Sequence, residues 1–368
     1  MHKPDDPNIQ KPKKTFKQKW ASFKQWLSKH RVAVAIVIGA MIVAGAFCAA
    51  LWNFYKSDSP TTSSFKPKKK AEKYYSPLTG VQVADESATK QAVTGVMIEN
   101  SPDARPQSGL KKAGVVYEAV AEGGITRFMA IYQQDKPALI GPVRSLRMYY
   151  LNWAAPYQAS IAHVGGSGNA LAEVRNGSYR DIDQFFNAGA YWRVNDRYAP
   201  HNMYTSGENL DSLNKEKNYT ESSFRSFERT DGKSVETPDA SQIAINFSSP
   251  LYGTNYNYDE ESNTYARHLG GAPHVDREEG QISPSVVVAI EVNAEVRPGT
   301  DGYEDIITTG SGTAHIFQGG SVTQGVWKKD GPNEPLQLKD SEGKDIKLYR
   351  GQTWIAAYTT GRGNISWQ

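Results

Sequence analysis

VYEAVAEGGITRFMAIYQQDKPALIGPVRSLR, residues 116–147, is the stretch that decides the fold of this chain. It holds most of two apolar runs, 115–120 and 128–132, which a Gly-Gly pair separates. Alternating side chains and flanking turn residues favour strands over a helix in both runs. A third short run, 138–140, is followed by a Gly-Pro step. We therefore predict two strands joined by a turn in one sheet, with the third short run after them.

Charged side chains stand at the ends of these runs. Glu118 and Glu122 precede the glycine turn, Arg127 follows it, and Arg144 and Arg147 follow the Gly-Pro step. Ligands usually bind at strand ends and their loops, so we expect these charges to converge at one end of the sheet. Guanidinium groups match phosphate and carboxylate oxygens in pairs. The stretch thus predicts an anion site.

Four sequence blocks resemble the YerB-like family of bacterial lipoproteins, whose domain has no assigned function. They are EGGITRF at 122–128, IGPVRSLR at 140–147, HVGGS at 163–167 and an R…PHN pattern at 193–202. The blocks occur in the family's order, and the resemblance extends over roughly residues 76–368. It implies a bacterial cell-envelope protein, and no reaction follows from it.

An uninterrupted apolar segment lies near the N-terminus. Residues 32–52, VAVAIVIGAMIVAGAFCAALW, contain no charge and no proline, and a helix of this length spans the roughly 30 Å hydrocarbon core. Nine lysines and arginines precede residue 32, against Asp5 and Asp6. The positive-inside rule then places the N-terminus in the cytoplasm and the globular region outside the cell membrane. We predict a single-pass anchor; a cleavable signal peptide, with a shorter apolar core, is the alternative.

The one cysteine, Cys48, lies inside this apolar segment. A lipoprotein signal places a small residue directly before its cysteine, whereas Phe47 precedes Cys48. A plain transmembrane anchor therefore fits the sequence better than lipidation. The exported part has no cysteine, so packing must stabilise it, and its roughly 290 residues are enough to form a core.

A basic aromatic pattern precedes the apolar segment. Phe16, Trp20, Phe23 and Leu27 recur at helical spacing between lysines. This pattern predicts an amphipathic helix on the anionic inner leaflet, or alternatively a simple charged topology signal. Over the whole chain the formal net charge is only +3, which does not favour nucleic-acid binding.

The remaining sequence predicts an α+β protein with an N-terminal transmembrane helix, a mixed α/β lobe and a β-rich C-terminal lobe. Short alternating strands separated by turns mark the second lobe after residue 243. The predicted segments are a basic cytoplasmic tail at 1–31, a transmembrane helix at 32–52, a tether at 53–75, the first lobe at 76–215, a linker at 216–239 and the second lobe at 240–368.

Arginines in or beside the family blocks form the predicted ligand site. Together with the nearby carboxylates Glu118, Glu122, Asp181 and Asp183 they can bind an anion, directly or through a divalent cation. The alternative is that these arginines and carboxylates pair with one another and only fix loops. The predicted ligand-binding residues are Arg127, Arg144, Arg147, Arg193, Arg197 and His201.

Three residues are candidates for a catalytic role: His163, Glu118 and Glu122. A histidine has a free pKa near neutrality and can act as a general base. The alternative for His163, which precedes a Gly-Gly turn, is a hydrogen-bonded turn residue. The two glutamates are the next choices as bases, with Arg127 and Arg144 stabilising the developing charge.

Known catalytic motifs are incomplete in this chain. His268, His274 and Asp276 lack the tight spacing of a zinc site, so no metal site is predicted. The order of Arg127 after a turn, then a strand, then Arg144 after a Gly-Pro step is similar to the LytR-CpsA-Psr phosphotransferases. Those proteins also have one N-terminal anchor. The aspartates of that family's R-S-D and P-R-D elements are missing here, so metal-assisted transfer has little support.

The predicted function is binding of an anionic envelope component, such as a wall polymer, a lipid-linked precursor or a partner protein. An envelope enzyme of phosphoryl or glycosyl transfer or hydrolysis, using the same arginines and carboxylates, is one alternative. A structural scaffold for other membrane proteins is the other. Binding is favoured over catalysis because no catalytic signature is complete.

Overall fold

The structure, a computed structural model, describes residues 15–57, 72–296 and 303–368. The chain forms two compact units, Met1–Ala71 and Glu72–Gln368. The first unit contains helix α1, Phe16–Lys29, which covers the predicted amphipathic pattern, and helix α2, Arg31–Ser57.

Helix α2 contains the predicted transmembrane segment. Among the described residues, the stretch Arg31–Lys56 is long and apolar enough to cross a membrane by length and composition. The helix continues to Ser57, so the first five residues of the predicted tether are helical. The rest of that tether up to residue 71, and residues 1–14 of the predicted tail, lie outside the described residues.

The second unit is α+β, as predicted, and consists mainly of strands. Its α-helices are α3 Glu86–Thr89, α4 Met148–Ala154, α5 Gly168–Val174 and α6 Gly207–Glu216. Single 3-10 turns span Pro102–Ala104, Leu110–Lys112, Ala155–Tyr157, Ala188–Ala190 and Pro250–Tyr252. The strands are β1 Tyr74–Tyr75, β2 Gln82–Val83, β3 Thr94–Glu99, β4 Val115–Glu122, β5 Ile125–Tyr132, β6 Ser160–Ala162, β7 Arg180–Asp181, β8 Tyr191–Arg193, β9 Met203–Thr205, β10 Arg229–Thr230, β11 Gln242–Asn246, β12 Thr254–Asp259, β13 Thr264–Leu269, β14 Ala272–Pro273, β15 Val275–Asp276, β16 Gly280–Gln281, β17 Val286–Val292, β18 Ala294–Val296, β19 Glu304–Ile306, β20 Gly310–Gln318, β21 Ser321–Lys329, β22 Gln337–Lys339, β23 Leu348–Tyr349, β24 Thr353–Thr359 and β25 Asn364–Trp367.

A ten-stranded mixed sheet is the frame of the second unit, in the order β22-β21-β20-β17-β24-β4-β5-β3-β6-β7. Strands β17, β24 and β4 run parallel, whereas β4, β5 and β3 form antiparallel pairs. The hairpin between β4 and β5 turns at Gly123 and Gly124, which both have positive φ, a conformation that glycine adopts without strain. The two predicted strands of the opening stretch are therefore neighbours in the middle of this sheet.

Protein covers both faces of the sheet, which explains the apolar runs. One face packs against α4 and α5, with Tyr150 and Trp153 in its core. The other face packs against a five-stranded antiparallel sheet, ordered β14-β13-β12-β11-β25, with Tyr256 and Tyr265 in its core. Strand β4 is buried at every residue except Glu122, so charged side chains on it need partners inside the protein.

The two predicted lobes share the ten-stranded sheet. Five strands from the predicted second lobe continue the sheet of the first, and β24 pairs with β4 along a ladder that includes Ala356 and Glu118. Parallel strands can pair across any distance in sequence, so a change in composition along the chain does not mark the edge of a sheet. The predicted linker at 216–239 also contributes β10, which pairs with β23. The ranges 76–215 and 240–368 thus divide the sequence but not this sheet.

Candidate functional site

A β-bulge in strand β4 decides which way its charged side chains point. The register with β5 shifts between Val120 and Glu122, which makes Ala121 an extra residue in the strand. Side chains alternate between the two faces along a strand, and one extra residue reverses the alternation. Glu122 therefore points to the opposite face from Glu118, and the expected convergence of the two carboxylates does not occur.

Glu118 lies at the centre of a buried polar network. Its Oε2 accepts hydrogen bonds from Arg267 Nη2 at 2.7 Å and Trp354 Nε1 at 2.9 Å, and its Oε1 accepts one from Thr126 Oγ1 at 3.1 Å. Glu118 and Arg267 are both 0% exposed. This ion pair ties strand β4 to β13 of the five-stranded sheet. The full engagement of the carboxylate does not favour the predicted role of Glu118 as a base.

His274 extends the same network. Arg267 can only donate, so His274 Nδ1 is the acceptor, and Nε2 carries the proton that it donates to Gln107 Oε1 at 3.0 Å. Burial, and then the charges of Arg267 and Arg105, lower the pKa of His274 well below its usual range. The ring is therefore neutral in the folded protein, and both of its nitrogens are hydrogen-bonded to other side chains.

Glu122, on the other face, holds two buried arginines. Its Oε1 accepts a hydrogen bond from Arg127 Nη2 at 2.6 Å, and its Oε2 accepts one from Arg147 Nη2. Arg127 also donates to the Ser145 carbonyl oxygen at 2.9 Å, and the Arg147 guanidinium lies 4.8 Å from the centre of the Tyr303 ring. Burial alone would raise the pKa of Glu122, but the two guanidinium charges lower it below its usual range. The two cations share one carboxylate.

Glu99, at the end of strand β3, brings Arg144 and His201 together. Its Oε1 accepts hydrogen bonds from His201 Nδ1 and Ser101 Oγ, each at 2.9 Å, and lies 3.2 Å from Arg144 Nε. Sequence reasoning did not select Glu99 as a site residue. The feature that could have identified Glu99 is a charged residue at the end of an otherwise apolar strand. Such a residue needs a partner when it is buried.

We define the arginine site as Glu99, Glu122, Arg127, Arg144, Arg147 and His201. Its two halves are joined through Ser145, which lies between Arg144 and Arg147 and binds Arg127 through its carbonyl oxygen. The Nε atoms of all three arginines, and Glu99 Oε2, are buried and have no hydrogen-bond partner among the described residues. Such unpaired atoms are uncommon in folded proteins, and here they mark bonding capacity that a ligand or an ordered water can use.

His163 is buried, and both of its ring nitrogens face oxygen atoms. Nδ1 lies 2.7 Å from the Gly165 carbonyl oxygen, and Nε2 lies 3.1 Å from Asp181 Oδ1. A carbonyl and a carboxylate only accept, so both ring nitrogens are already engaged with acceptor oxygens of the protein. Burial alone would raise the pKa of Asp181, but the hydrogen bond and charge of His163 lower it. The arrangement does not favour the predicted role of His163 as a base.

Arg193 and Arg197 support the loops around the arginine site. Arg193 Nη1 donates to Asn202 Oδ1 at 2.6 Å. Arg197 donates through Nη1 and Nη2 to the carbonyl oxygens at 104 and 106, in the loop that follows strand β3. Both guanidinium groups therefore hold the chain in place, and direct contact with a ligand stays a prediction for them.

The weaker metal candidates do not form one cluster of ligating side chains among the described residues. His274 belongs to the buried network, whereas His268 lines a groove of about 530 Å³ on the five-stranded sheet, beside Asn255, Asn257 and Gln242. No arginine-site residue lines this groove. Among the described residues, no group of three or more His, Cys, Asp or Glu side chains could hold a metal ion. We base the candidate site on the arginine site because the groove gathers no charged side chains.

Comparisons with known proteins identify the family. Residues 78–220 match "Protein of unknown function (DUF3048) N-terminal domain", and residues 243–355 match the corresponding C-terminal domain. The chain belongs to the DUF3048 family. It is 32% identical over 296 residues to "Putative lipoprotein YerB" of Bacillus subtilis (strain 168), a match that covers 77% of this chain and 86% of that protein.

The DUF3048 fold is also similar to a solved structure. A crystal structure of the YerB protein from Bacillus subtilis matches with a TM-score of 0.70 and 29% sequence identity, over 80% of this chain and 99% of that one. The predicted resemblance to the YerB-like family is confirmed. Every arginine-site residue lies within the N-terminal DUF3048 domain, whereas the pair of Glu118 and Arg267 joins the N-terminal to the C-terminal domain.

Proposed function

We propose that this DUF3048 protein is anchored in the cell membrane by helix α2 and binds an anionic component of the cell envelope at the arginine site. One observation carries the proposal: Arg127, Arg144 and Arg147 share two carboxylates, and their Nε atoms lack partners among the described residues. An oxyanion of a wall polymer, a lipid-linked precursor or a partner protein would pair with the guanidinium group of Arg144, which is the partly exposed member of the three. The basic flank before α2 supports an extracytoplasmic position for the site.

Arg144 is the arginine best placed to meet a ligand first. Its side chain is 27% exposed, compared with 3% for Arg127 and 6% for Arg147. Its Nε lies 3.2 Å from Glu99 Oε1 but makes no hydrogen bond in that contact. Because the contact lacks hydrogen-bond geometry, a ligand can replace it without breaking a strong interaction.

Binding of inorganic polyphosphate to the full-length chain in detergent tests the proposal. We expect the affinity to fall steeply with salt, and Arg144→Ala to weaken it about tenfold with little change in melting temperature. The control is Arg225→Ala, which removes an equal charge from a side chain that is 78% exposed elsewhere. If the wild type binds no polyphosphate and Arg144→Ala unfolds readily, the arginines only stabilise the fold. That result would favour the alternative of a structural scaffold for other membrane proteins.

One observation favours the enzymatic alternative. Glu99 holds the Nδ1 proton of His201, which leaves Nε2 as a hydrogen acceptor, 4.0 Å from Asp103 Oδ2. Ser101 is not suited to be its nucleophile. Its Oγ lies 3.3 Å from the nitrogen that Glu99 already occupies, whereas serine and acid bind opposite nitrogens in a Ser–His–acid triad.

We place binding before catalysis because no complete catalytic set accompanies His201 among the described residues. Incubation of polyphosphate with the full-length protein, with and without divalent metal, separates the two functions. We expect binding without release of orthophosphate. Release that is lost in His201→Ala, with binding retained, would favour the enzyme instead.

A further inference from the structure

Three aromatic side chains stand largely exposed in the N-terminal DUF3048 domain. Phe185 and Phe186 are 67% and 69% exposed, and Tyr198 is 91% exposed. Aromatic rings bury large apolar areas and contribute most when they are covered. Two adjacent phenylalanines left in solvent therefore indicate a surface that something else covers.

The buried carboxylate of Asp183 and the guanidinium group of Arg175 hold the two phenylalanines in place. Asp183 Oδ1 accepts the backbone N–H groups of Gly165 and Phe185, and its Oδ2 accepts a hydrogen bond from Arg175 Nη2 at 2.7 Å. The Arg175 guanidinium lies 4.9 Å from the centre of the Phe186 ring. The rings therefore stand on an ordered turn, and Asp183 is a positioning residue for them.

This turn lies beside the arginine site. The Phe185 ring packs on Gly165, where a Cβ atom would stand 3.2 Å from Phe185 Cε2. The Gly165 carbonyl oxygen accepts the backbone N–H of Leu146 at 3.0 Å, one residue before Arg147. One backbone hydrogen bond thus joins the segment under the phenylalanines to the segment that carries the arginines.

Tyr198 borders the site at His201. Its carbonyl oxygen accepts the His201 backbone N–H at 2.9 Å, and His201 in turn binds Glu99. Backbone hydrogen bonds therefore join segments that carry exposed rings to the arginine-bearing segment and to the histidine of the site.

We propose that the ligand is an anionic glycan whose charged groups bind the arginines while its sugar rings stack on Phe185, Phe186 and Tyr198. This inference rests on the proposed anion-binding function and names the chemical class of the ligand. It also explains why the buried carboxylate of Asp183 supports a turn that presents aromatic rings to solvent.

An anionic glycan supplies every partner that the site lacks. Its phosphate or carboxylate groups pair with the guanidinium donors. Its hydroxyl groups can donate to Glu99 Oε2, which is buried without a partner among the described residues. The apolar face of a sugar ring covers an exposed phenyl ring. An isoprenoid chain has no hydroxyl group for Glu99, and a neutral glycan offers the guanidinium groups no charged oxygen.

The test compares three probes on the full-length chain in detergent: phosphorylated dextran, unmodified dextran and inorganic polyphosphate. If the sugars cover roughly 60 Å² of apolar ring surface in total, the affinity changes by about tenfold. We expect phosphorylated dextran to bind about tenfold more tightly than polyphosphate at equal phosphate concentration, and unmodified dextran to bind weakly.

Two variants locate the effect on the rings. The double variant Phe185→Ser/Phe186→Ser alters exposed side chains, so we expect it to fold, to lose about tenfold in affinity for phosphorylated dextran and to bind polyphosphate as before. Val326→Ser is the control, since it changes an apolar side chain that is 43% exposed in strand β21, near the other edge of the ten-stranded sheet.

The outcomes separate this inference from the function on which it rests. If polyphosphate and phosphorylated dextran bind equally, and the double variant binds both as before, the ligand is not a glycan. The proposed anion-binding function is then retained. No binding of either anion overturns both. Geranyl phosphate and glucose 1-phosphate then compete with phosphorylated dextran. If geranyl phosphate displaces it at the lower concentration, the rings bind an apolar chain in preference to a sugar, which also overturns the inference.

Discussion

Glu118 and Glu122 stand four residues apart on one strand, and their carboxylates lie on opposite faces of the sheet. Glu118 pairs with Arg267 across the interface with the five-stranded sheet, whereas Glu122 pairs with Arg127 and Arg147 on the other face. The extra residue Ala121 in strand β4 produces this division. One carboxylate therefore joins the two DUF3048 domains, and the other belongs to the arginine site.

The pair of Glu118 and Arg267 predicts a large stability effect. Replacing Glu118 by glutamine leaves the Arg267 charge buried without its partner, because both side chains are 0% exposed. We expect the free energy of unfolding to fall by about 3–5 kcal/mol, measured by urea denaturation. A matched control is Glu342→Gln, which removes an exposed contact with Lys344 at 2.6 Å and is expected to leave the melting temperature unchanged. Equal stability of the two variants would contradict the assignment.

Stability is expected to fall with pH below neutrality because of His274. The histidine titrates near 6.5 in the unfolded chain, whereas burial and the charges of Arg267 and Arg105 keep its pKa well below that value in the folded chain. Only the unfolded state then gains a proton as the pH falls through about 6.5, so the stability present above that pH is progressively lost below it.

The measurement is the urea midpoint of unfolding as a function of pH, between neutral and mildly acidic solution. We expect His274→Asn to flatten this pH dependence relative to the wild type. His268→Asn is the control, since it alters a histidine on the groove of the five-stranded sheet and outside the buried network. If both variants keep the wild-type slope, His274 is not the group that titrates.

Removing the charge of Glu122 is expected to strengthen anion binding while it weakens the fold. In Glu122→Gln the guanidinium groups of Arg127 and Arg147 lose their shared counter-charge. We expect polyphosphate to bind about tenfold more tightly at low salt and the melting temperature to fall, because two buried cations then face each other without compensation. At high salt the gain in affinity is expected to shrink. Weaker binding by this variant would place the anion somewhere other than the arginine site.

The anchor prediction separates a transmembrane helix from a lipid anchor. If α2 spans the membrane, Cys48→Ser is expected to stay in the membrane fraction after an alkaline wash, because about 20 apolar residues hold it there. Loss of Cys48→Ser from the membrane would show that lipidation anchors the protein.

Orientation has its own test. Trypsin added to intact cells is expected to cut the lysine-rich tether between residues 66 and 73 and release the second unit. Cutting that occurs only after lysis would reverse the predicted orientation.

The sequence alone predicted the local elements well. The apolar runs at 115–120 and 128–132 lie within strands β4 and β5, and the apolar segment at 32–52 lies within helix α2. Strand alternation, helix length and turn glycines are properties of neighbouring residues, so a single sequence displays them. The family blocks also identified the DUF3048 relationship and brought Arg127, Arg144 and Arg147 into one predicted site.

Tertiary structure alone decided the partners of those residues. The sequence does not show that β24 lies beside β4, that Ala121 forms a bulge, or that Glu99 unites Arg144 with His201. Glu118 and its partner Arg267 are 149 residues apart in the sequence. The physical reason is that a strand's neighbours, and the face on which each side chain lies, depend on register. A register is set by hydrogen bonds to distant strands. One extra residue shifts that register and places the side chains that follow on the opposite face of the sheet.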